Sequence, residues 1–300
     1  MDTGEMDTDM INKANMAGTV LDDRADEVLQ IGNRIFMRQN KTYVMGILNL
    51  TPDSFSDGGK WNDADAALKR VEVMLAEGMD ILDVGGESTR PGYTQISVQE
   101  EIERTAPVIE RIKAAFDVPV SLDTYKSDVA QAGIAAGADL INDIWGLKYE
   151  SDMAAVIAGA NCPCCLMHNR KEAVYQDFLP DMTKDLIDTL QIAGQAGIDG
   201  EKILLDPGIG FGKTYEQNLL ALKYMAQIKE EFGCPVLLGC SRKSVIGLTL
   251  DIPVEERLSG TIATTVYAVM QGCMFVRVHD IRENVQAVRM TEAILKATKP

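Results

Sequence analysis

The chain contains eight short apolar runs, each of which ends in polar or glycine residues. These runs cover residues 43–49, 81–86, 118–123, 139–143, 163–168, 202–206, 234–240 and 274–279. Nearly continuous apolar character is typical of parallel strands that are buried on both faces. Between the runs, apolar residues recur every three or four positions, as at Leu68, Val71 and Leu75, which predicts amphipathic helices. The pattern therefore predicts strands that alternate with helices.

Eight strand and helix units in about 250 residues match the size of one (β/α)8 barrel. Right-handed crossovers join parallel strands of this kind. An open doubly wound sheet is the alternative, and its glycine-rich dinucleotide fingerprint would be expected after the first strand. Thr51, Pro52 and Asp53 stand there instead. The sequence therefore predicts an α/β fold with a single (β/α)8 TIM barrel.

The first 30 residues differ in composition from the rest of the chain. They contain eight acidic residues, two basic residues and little periodic apolar content. This composition predicts a mobile acidic extension over residues 1–30, followed by one domain over residues 31–300. A small hairpin that caps the bottom of the barrel is also predicted, with a turn at residues 39–41 among the apolar residues Ile35, Met37 and Tyr43.

The net charge restricts the classes of partner, and the apolar pattern and the cysteines restrict the cellular compartment. A formal net charge of -16 disfavours nucleic acid, because binding to a phosphate backbone requires a basic surface. No apolar stretch is long enough for a membrane span and no signal peptide is recognisable, which predicts a cytoplasmic protein without a membrane partner. Cys162, Cys164 and Cys165 lack the spacing of a zinc site and are interpreted as buried reduced thiols.

Polar residues follow the predicted strands, and the carboxyl ends of barrel strands converge on one face. They are carboxylates, amides and cations, namely Asn49, Asp83, Asp123, Asn142, Asp143, His168, Asp206, Lys243, Arg277 and His279. Any one of them alone would be interpreted as a helix cap or a solvated loop residue. Together they predict one polar site, whose cations suit an anionic small molecule.

Five ordered motifs give the chain a resemblance to a known family. They lie at residues 47–59, 83–92, 206–213, 241–244 and 277–280. Across about residues 44 to 290 the chain resembles the dihydropteroate synthase family, and five long motifs in order are far more specific than one short pattern. The mild departures are Ile209 and the cysteines of the fifth strand.

The resemblance implies a reaction, a cofactor and an assembly. The reaction condenses 6-hydroxymethyl-7,8-dihydropterin diphosphate with 4-aminobenzoate and gives 7,8-dihydropteroate and pyrophosphate in folate biosynthesis. The implied cofactor is Mg2+, the implied assembly is a homodimer, and the family is a sulfonamide target. Two alternatives stay open: a non-catalytic pterin-binding paralogue and a methyltetrahydrofolate-dependent methyltransferase of the related pterin-binding group.

The pterin ring has an edge of hydrogen-bond donors and acceptors that carboxylates and amides can pair with. Asp123, Asn142 and Asp206 fit these roles, although strand-end capping is the alternative for the first two. By resemblance Lys243 lies along the ring. Met167 is expected to form an apolar wall against its flat face.

The diphosphate requires positive charge and N–H donors. Arg277 and His279 offer both from one side of the last strand, because residues two apart on a strand share a face. Thr89 is expected to donate a hydrogen bond to a phosphate. Asn49 is the candidate Mg2+ ligand, since this ion prefers oxygen and keeps several waters.

The remaining assignments depend mostly on the resemblance. The 4-aminobenzoate is expected to contact the side chains of Phe55, Pro91, Phe211 and Ser244, the last of which opens a helix whose N-terminus suits a carboxylate. Asp57 and Arg90 are expected to pair across two closing loops. The predicted catalytic residues are Arg277, His279, Lys243, Asp57 and Arg90. The predicted mechanism breaks the C–O bond to the diphosphate before the amine attacks, so it requires no strong general base.

Overall fold

The computed structural model describes residues 28–38, 41–50, 60–87 and 95–298. Its strands are β1 (Val28–Ile31), β2 (Arg34–Met37), β3 (Tyr43–Asn49), β4 (Ile81–Gly85), β5 (Val120–Asp123), β6 (Leu140–Asp143), β7 (Cys164–Met167), β8 (Ile203–Asp206), β9 (Leu237–Leu238) and β10 (Phe275–Val278). Its α-helices are α1 (Lys60–Ala76), α2 (Val98–Ala115), α3 (Ser127–Ala135), α4 (Met153–Gly159), α5 (Phe178–Ala196), α6 (Tyr215–Lys223), α7 (Met225–Phe232), α8 (Ser244–Leu250), α9 (Leu258–Met270) and α10 (Ile281–Lys296).

Strands β3 to β10 form one parallel sheet in the order β8-β7-β6-β5-β4-β3-β10-β9. In the register of β3, Met45 lies opposite Ile81 of β4 on one side and opposite Arg277 of β10 on the other. A parallel bridge between Leu205 and Val236 joins the two ends of the sheet and closes the ring. The predicted (β/α)8 TIM barrel is confirmed, and the open doubly wound alternative is wrong.

The polarity of the side chains inside the barrel differs between its amino end and its carboxyl end. Its lower layer is apolar and fully buried, and it contains Met45, Ile81, Leu140, Cys165, Leu204, Leu237 and Phe275. Side chains two positions further along a strand face the same side. That rule gives a second layer in which four residues are polar, namely Asp83, Asn142, Asp206 and Arg277. The same layer also contains Gly239 and the apolar residues Ile47 and Met167. The alternation along the strands therefore brings the polar residues to the carboxyl end.

A hairpin of β1 and β2 closes the amino end of the barrel. Phe36 packs against Tyr43 and Phe275, with ring centroids 4.8 Å and 5.3 Å apart. Leu29 and Ile31 from the same hairpin are buried in the lower layer. The predicted barrel-bottom hairpin is confirmed, and it seals the end opposite the polar layer.

The position of the hairpin turn differs from the predicted one. The strands join at Gly32 and Asn33, not at residues 39–41, and Ile35 pairs with Gln30. Gly32 has a φ of 59°, a conformation that glycine adopts at little cost, so it provides the tight turn. As a result β1 begins at Val28, within the predicted extension. Residues 1–27 lie outside the described residues, and the extension stays a prediction.

The helices cover the outside of the barrel. Outward-facing strand residues such as Leu82 and Leu122 pack against helix residues such as Met74, Ile109 and Ile112, and all five are fully buried. Full burial of a side chain of this kind stabilises the fold by about 1.5 to 3 kcal/mol. This layer therefore provides the rigid support on which the strand ends are presented.

The six cysteines of the chain are all buried and unpaired. Burial raises the pKa of the Cys162 and Cys234 thiols to about 12 each. Both thiols therefore stay protonated and unreactive. Among the described residues, no helix is both long enough and apolar enough to span a bilayer.

Candidate active site

Arg277 lies at the centre of the polar layer. Its Nε donates to Oδ2 of Asp83 at 2.5 Å, and its Nη2 donates to Oδ2 of Asp123 at 2.7 Å. Burial opposes the charge of the guanidinium, but Asp83 and Asp123 outweigh it and raise the pKa of Arg277. Its Nη1 makes no hydrogen bond to a described residue. Arg277 is thus held by two carboxylates and keeps one donor group for a ligand.

Asp83 orients Arg277 from within the same layer of the barrel. Its side chain is fully buried, and its Oδ1 accepts a 2.5 Å hydrogen bond from the hydroxyl of Ser121 on the neighbouring strand. A buried carboxylate is tolerated only where it is paired and hydrogen-bonded. Both oxygens of Asp83 are therefore occupied within the protein, and it is unavailable to a ligand.

Asp123 differs from Asp83 because one of its oxygens has no partner. Its Oδ1 is buried and accepts no hydrogen bond from the described residues. Burial raises the pKa of Asp123 to about 7, while Arg277 lowers it and Asp83 raises it. An unsatisfied buried acceptor costs about 1 to 3 kcal/mol. A ligand N–H group at this position would remove that penalty.

Asp206 and Lys243 border the same space from the next strands. Oδ1 of Asp206 accepts from the backbone N–H of Gly208 at 2.7 Å. A Cβ atom on Gly239 would lie 3.4 Å from Oδ2 of Asp206 and 3.7 Å from Nζ of Lys243. Burial raises the pKa of Asp206 and lowers that of Lys243, and the attraction between the two groups partly offsets each shift. The glycine leaves room for a ligand beside a carboxylate and an ammonium group.

Lys243 is also held by the turn that follows β8. Its Nζ donates to the carbonyl of Ile209 at 2.5 Å and lies 4.6 Å from the centroid of the Phe211 ring. A cation over an aromatic face gains about 0.5 to 2 kcal/mol. The structure thus brings Lys243 and Phe211 together.

An apolar cluster adjoins the polar groups. Met167, at the end of β7, packs with Tyr125, Ile144, Trp145 and Phe211. On the neighbouring strand, Asn142 is only 4% exposed, and its side-chain amide makes no hydrogen bond to a described residue. A flat wall beside a free amide suits a heteroaromatic ring that has polar edges.

Asn49 lies at the end of β3. Its Oδ1 and Oδ2 of Asp123 lie 3.7 Å and 3.9 Å from the position that a Cβ atom on Gly85 would occupy, so the two oxygens flank the same residue. No group of three or more His, Cys, Asp and Glu side chains suited to a metal occurs among the described residues. Hard oxygen donors are what Mg2+ prefers, and a single amide oxygen is enough where a substrate supplies further oxygens.

His279 lies just after β10. Its Nδ1 is 3.0 Å from the hydroxyl of Ser241, and its backbone N–H donates to the same oxygen at 3.2 Å. Ser244 is exposed and begins α8. Ser244 follows β9 and His279 follows β10, so both residues lie at the carboxyl end of the barrel.

Five predicted site residues fall outside the part of the chain that the structure describes. They are Phe55, Asp57, Thr89, Arg90 and Pro91. Their assignments to 4-aminobenzoate, the diphosphate and catalysis stay predictions.

A buried ionic network at the ends of β4 and β5 was not predicted. Nζ of Lys126 donates to Glu87 at 2.8 Å, to Glu101 at 2.7 Å and to the carbonyl of Ile96 at 2.8 Å. Glu87 also accepts from the hydroxyl of Tyr125, which belongs to the apolar cluster. The sequence signal was available, because a lysine directly after a strand and a glutamate after its neighbour can meet at the same end of a barrel.

Three further residues shape the site without having been predicted to bind a substrate. Asp83 and Ser121 orient Arg277, and Gly239 leaves space beside Asp206. A charged residue inside an otherwise apolar strand requires a partner. The position of Asp83 within an apolar strand therefore indicated a buried partner. The space beside Gly239 could not be predicted in this way, because it depends on neighbours distant in sequence.

The fold and the site together define a (β/α)8 barrel whose carboxyl end brings carboxylates and cations beside an apolar cluster. Residues 45–279 match the family described as pterin binding enzyme. A dihydropteroate synthase from Clostridium beijerinckii is 57% identical over 269 residues, which are 89% of this chain and 100% of the relative. The chain therefore belongs to the pterin binding enzyme family, among its dihydropteroate synthases.

Solved structures agree with this family. The structure of a dihydropteroate synthase from Clostridium difficile, obtained in the presence of pteroic acid, has a TM-score of 0.83 and 44% identity. It covers 90% of this chain and 100% of its own. A dihydropteroate synthase from Xanthomonas albilineans with 4-aminobenzoic acid has a TM-score of 0.86 and 39% identity, over 91% of this chain and 100% of its own. The resemblance predicted from the five motifs is confirmed.

Proposed function

We propose that this protein is a dihydropteroate synthase, a transferase that joins 6-hydroxymethyl-7,8-dihydropterin diphosphate to 4-aminobenzoate and releases pyrophosphate. The observation that supports it best is the buried Oδ1 of Asp123, which lacks a partner beside the paired guanidinium of Arg277. A pterin ring offers the N–H donor that this oxygen needs, and the diphosphate offers the anion. The family membership supports the same reaction.

The pterin ring binds between the strand-end carboxylates and the apolar wall. Asp123 and Asp206 accept N–H bonds from the amino-oxo-pyrimidine edge, and Asn142 pairs with a neighbouring edge atom. Lys243 lies along the ring, and Met167 packs against its face. Each of these side chains is buried or partly buried around one space, which excludes water from the hydrogen bonds and strengthens them.

The diphosphate binds on the side of Arg277 and His279. Nη1 of Arg277 is the donor that the protein leaves unused among its described residues, and His279 lies two positions further along the same strand direction. Thr89 is proposed to add a hydrogen bond. Because Asp83 and Asp123 fix the guanidinium beforehand, little reorganisation is needed when charge develops on the leaving group.

Mg2+ is the proposed cofactor, and Asn49 is its proposed protein ligand. The side-chain oxygen of Asn49 is a hard donor near Asp123, which suits this ion. Diphosphate oxygens and water would be the other ligands. When bound, the ion neutralises charge on the diphosphate. Removal of Mg2+ with a chelator is expected to weaken calorimetric binding of the pterin diphosphate, while binding of the pterin without its diphosphate stays the same. Equal binding of the diphosphate with and without Mg2+ would contradict the proposal.

The reaction proceeds by loss of the diphosphate before attack. The electron pair of the C–O bond leaves with the pyrophosphate, and the resulting methylene cation is stabilised by the dihydropterin ring. The lone pair of the 4-aminobenzoate nitrogen then forms the C–N bond, and the nitrogen loses a proton to solvent water. Arg277 and His279 stabilise the departing charge, and the carboxylates of Asp123 and Asp206 stabilise the cation.

The second substrate, 4-aminobenzoate, is proposed to bind against Phe211 and near Ser244 at the start of α8. The backbone N–H groups at a helix N-terminus favour a carboxylate. Phe55, Pro91, Asp57 and Arg90 are proposed to complete this side. The Xanthomonas albilineans relative, solved with 4-aminobenzoic acid, supports this substrate class.

Product analysis tests the proposed function. Purified protein is incubated with the pterin diphosphate and Mg2+, with and without 4-aminobenzoate, and the pterin product is identified by mass spectrometry. We expect 7,8-dihydropteroate only when both substrates are present. Tight pterin binding without product would indicate a non-catalytic paralogue. Methyl transfer from methyltetrahydrofolate would indicate the methyltransferase alternative.

A homodimer is the proposed assembly, and the cytoplasm is the proposed location. Several large apolar side chains on the last three helices are more than 45% exposed, namely Leu248, Leu250, Met270, Met290, Ile294 and Leu295. Exposed apolar surface of this kind often marks a protein interface. Sedimentation velocity is expected to show a dimer that Met290→Glu weakens. A monomer at all concentrations would contradict the proposal.

A further inference from the structure

Lys213 follows the turn after β8 and has no assigned role. Its Nζ contacts Nδ1 of His168 at 2.8 Å, the carbonyl of Gly208 at 2.9 Å and the carbonyl of Phe211 at 3.1 Å. The three N–H donors of an ammonium group match these three acceptors. Lys213 therefore joins the turn after β8 to the end of β7.

The turn at residues 208–212 has little support from its own backbone. Three of its glycines have positive φ, and Phe211 N–H to Gly208 carbonyl, at 3.1 Å, is its one internal backbone bond among those described. A Cβ atom on Gly208 would lie 1.9 Å from the carbonyl oxygen of His168. The turn thus lies directly on the β7 segment, and Lys213 provides a polar connection between them. The hydroxyl of Tyr175, which follows β7, provides another by donating to the carbonyl of Gly212 at 2.8 Å.

This turn presents the groups that contact Lys243. The carbonyl of Ile209 accepts its 2.5 Å hydrogen bond, and the ring of Phe211 lies under its ammonium group. Both residues lie between Gly208 and Lys213 in the chain. Movement of the turn would therefore move both contacts of Lys243 together.

His168 is held in the tautomer that Lys213 requires. Its Nε2 lies 3.0 Å from Oδ2 of Asp185, and the same carboxylate accepts from Nε of Arg170 at 2.6 Å. Burial lowers the pKa of His168 to about 4, so the ring is neutral. A neutral ring that donates from Nε2 to a carboxylate has a free lone pair on Nδ1, which accepts from Lys213.

We propose that Lys213 and His168 are positioning residues: they fix the turn at residues 208–212 so that Ile209 and Phe211 hold the ammonium group of Lys243 against the pterin. The inference depends on the proposed function, because it gives Lys243 its substrate. The proposal requires neither residue to contact the pterin itself. Their effect on catalysis therefore passes through Lys243.

The test is a double-mutant cycle of Lys213→Met and Lys243→Met, with Lys202→Met as the control. Lys202 flanks the other end of β8 and bonds to Asn161. We expect Lys213→Met to lower kcat/KM and to weaken calorimetric binding of the pterin diphosphate by about 10- to 100-fold, since a small misplacement near a reacting group has effects of this size. In the Lys243→Met background the further loss is expected to stay within about threefold.

Equal losses in both backgrounds would overturn the proposal, because a general loss of structure lowers activity whether or not Lys243 is present. Activity of Lys213→Met equal to that of Lys202→Met would also overturn it. If the unaltered protein made no dihydropteroate, the proposed function would fail instead. The two failures are therefore distinguishable.

Two variants of His168 test the proposal should Lys213→Met fail to fold. The amide of Asn in His168→Asn can occupy the position of Nδ1 and accept from Lys213, whereas that of Gln in His168→Gln reaches the position of Nε2 and keeps only Asp185. We expect His168→Gln to weaken pterin binding at least about fivefold more than His168→Asn. The opposite order, or equal binding, would contradict the proposed connection.

Discussion

Asp83 is the residue whose loss should affect the fold and the site together. It is fully buried, and it forms the 2.5 Å ion pair with Arg277, whose side chain is 18% exposed. Removing one partner of a buried pair costs about 3 to 5 kcal/mol, because the other charge stays buried without compensation. Asp83→Ala is therefore expected to lower the free energy of unfolding by that amount in urea denaturation.

Asp65→Ala is the matched control for Asp83→Ala. Asp65 also forms an ion pair with an arginine, Arg111, at 2.5 Å, but its side chain is 63% exposed. Exposed pairs of this kind contribute about 0 to 1 kcal/mol. A loss for Asp83→Ala as small as that of the control would show that the pair with Arg277 has no special role.

The sequence predicted the types of group at the site better than their contacts. Asp123, Asn142, Asp206 and Lys243 were predicted as one group from their positions after strands, and the structure brings them around one space. Their roles toward substrates stay predictions. That Arg277 joins two carboxylates was not predicted, because contacts across a barrel depend on the stagger of strands that are far apart in sequence.

At the scale of elements, the β1–β2 hairpin stabilises the barrel from the end opposite the site. Phe36 is 2% exposed, between Tyr43 and Phe275. Phe36→Ala is expected to lower the free energy of unfolding by about 3 to 5 kcal/mol, through lost burial and a residual cavity. The turnover of the folded variant is expected to stay close to that of the unaltered protein.

The neighbouring residue gives the control for Phe36→Ala. Ile35 lies on the same strand, is 64% exposed and points away from the barrel. Ile35→Ala is expected to change the unfolding free energy by no more than about 0.5 kcal/mol. Equal effects of the two substitutions in thermal and urea denaturation would contradict the packing of the hairpin against the lower layer.

The contact between β7 and α5 should make stability depend on pH. Burial lowers the pKa of His168 to about 4, against an ordinary value of 6.5, while Asp185 raises it and Lys213 lowers it. The unfolded chain then binds a proton at His168 that the folded protein does not, so stability falls as the pH falls. The expected loss from this group is about 2 kcal/mol between about pH 7 and about pH 5.

The measurement is urea denaturation of the unaltered protein and of His168→Asn across this pH range. The ordinary carboxyl pKa values lie mostly below the range, so the difference between the two proteins reports His168. Between about pH 7 and about pH 5, the free energy of unfolding is expected to fall by about 2 kcal/mol less in His168→Asn than in the unaltered protein. Identical slopes would mean that His168 binds its proton over the same pH range in the folded and unfolded states, which would contradict the prediction.

The elements that were predicted best are those with the strongest local pattern. All eight barrel strands fall within the apolar runs, since a strand buried on both faces has a distinctive composition. The hairpin was harder to locate. Its first strand lies next to an acidic segment, and its turn depends on the conformation of one glycine, Gly32.

At the scale of the whole molecule, closure of the barrel brings the carboxyl ends of eight repeated strand and helix units together at a single site. On β4, β6, β8 and β10 an apolar residue that faces the interior is followed two positions later by a polar one, and closure of the ring brings these polar residues together. The sequence was sufficient for the fold because strand composition and unit count both indicated eight units. The space between the polar groups, by contrast, depends on small residues such as Gly239 and is visible only in three dimensions.

The most direct test of the account is the rate of dihydropteroate formation by the unaltered protein and by Arg277→Ala, with Arg111→Ala as an exposed control. Because Arg277 is proposed to stabilise the leaving group, its loss is expected to slow turnover by about 100- to 1000-fold, while the control stays close to the unaltered rate. Turnover by Arg277→Ala within about threefold of the unaltered protein would contradict the account.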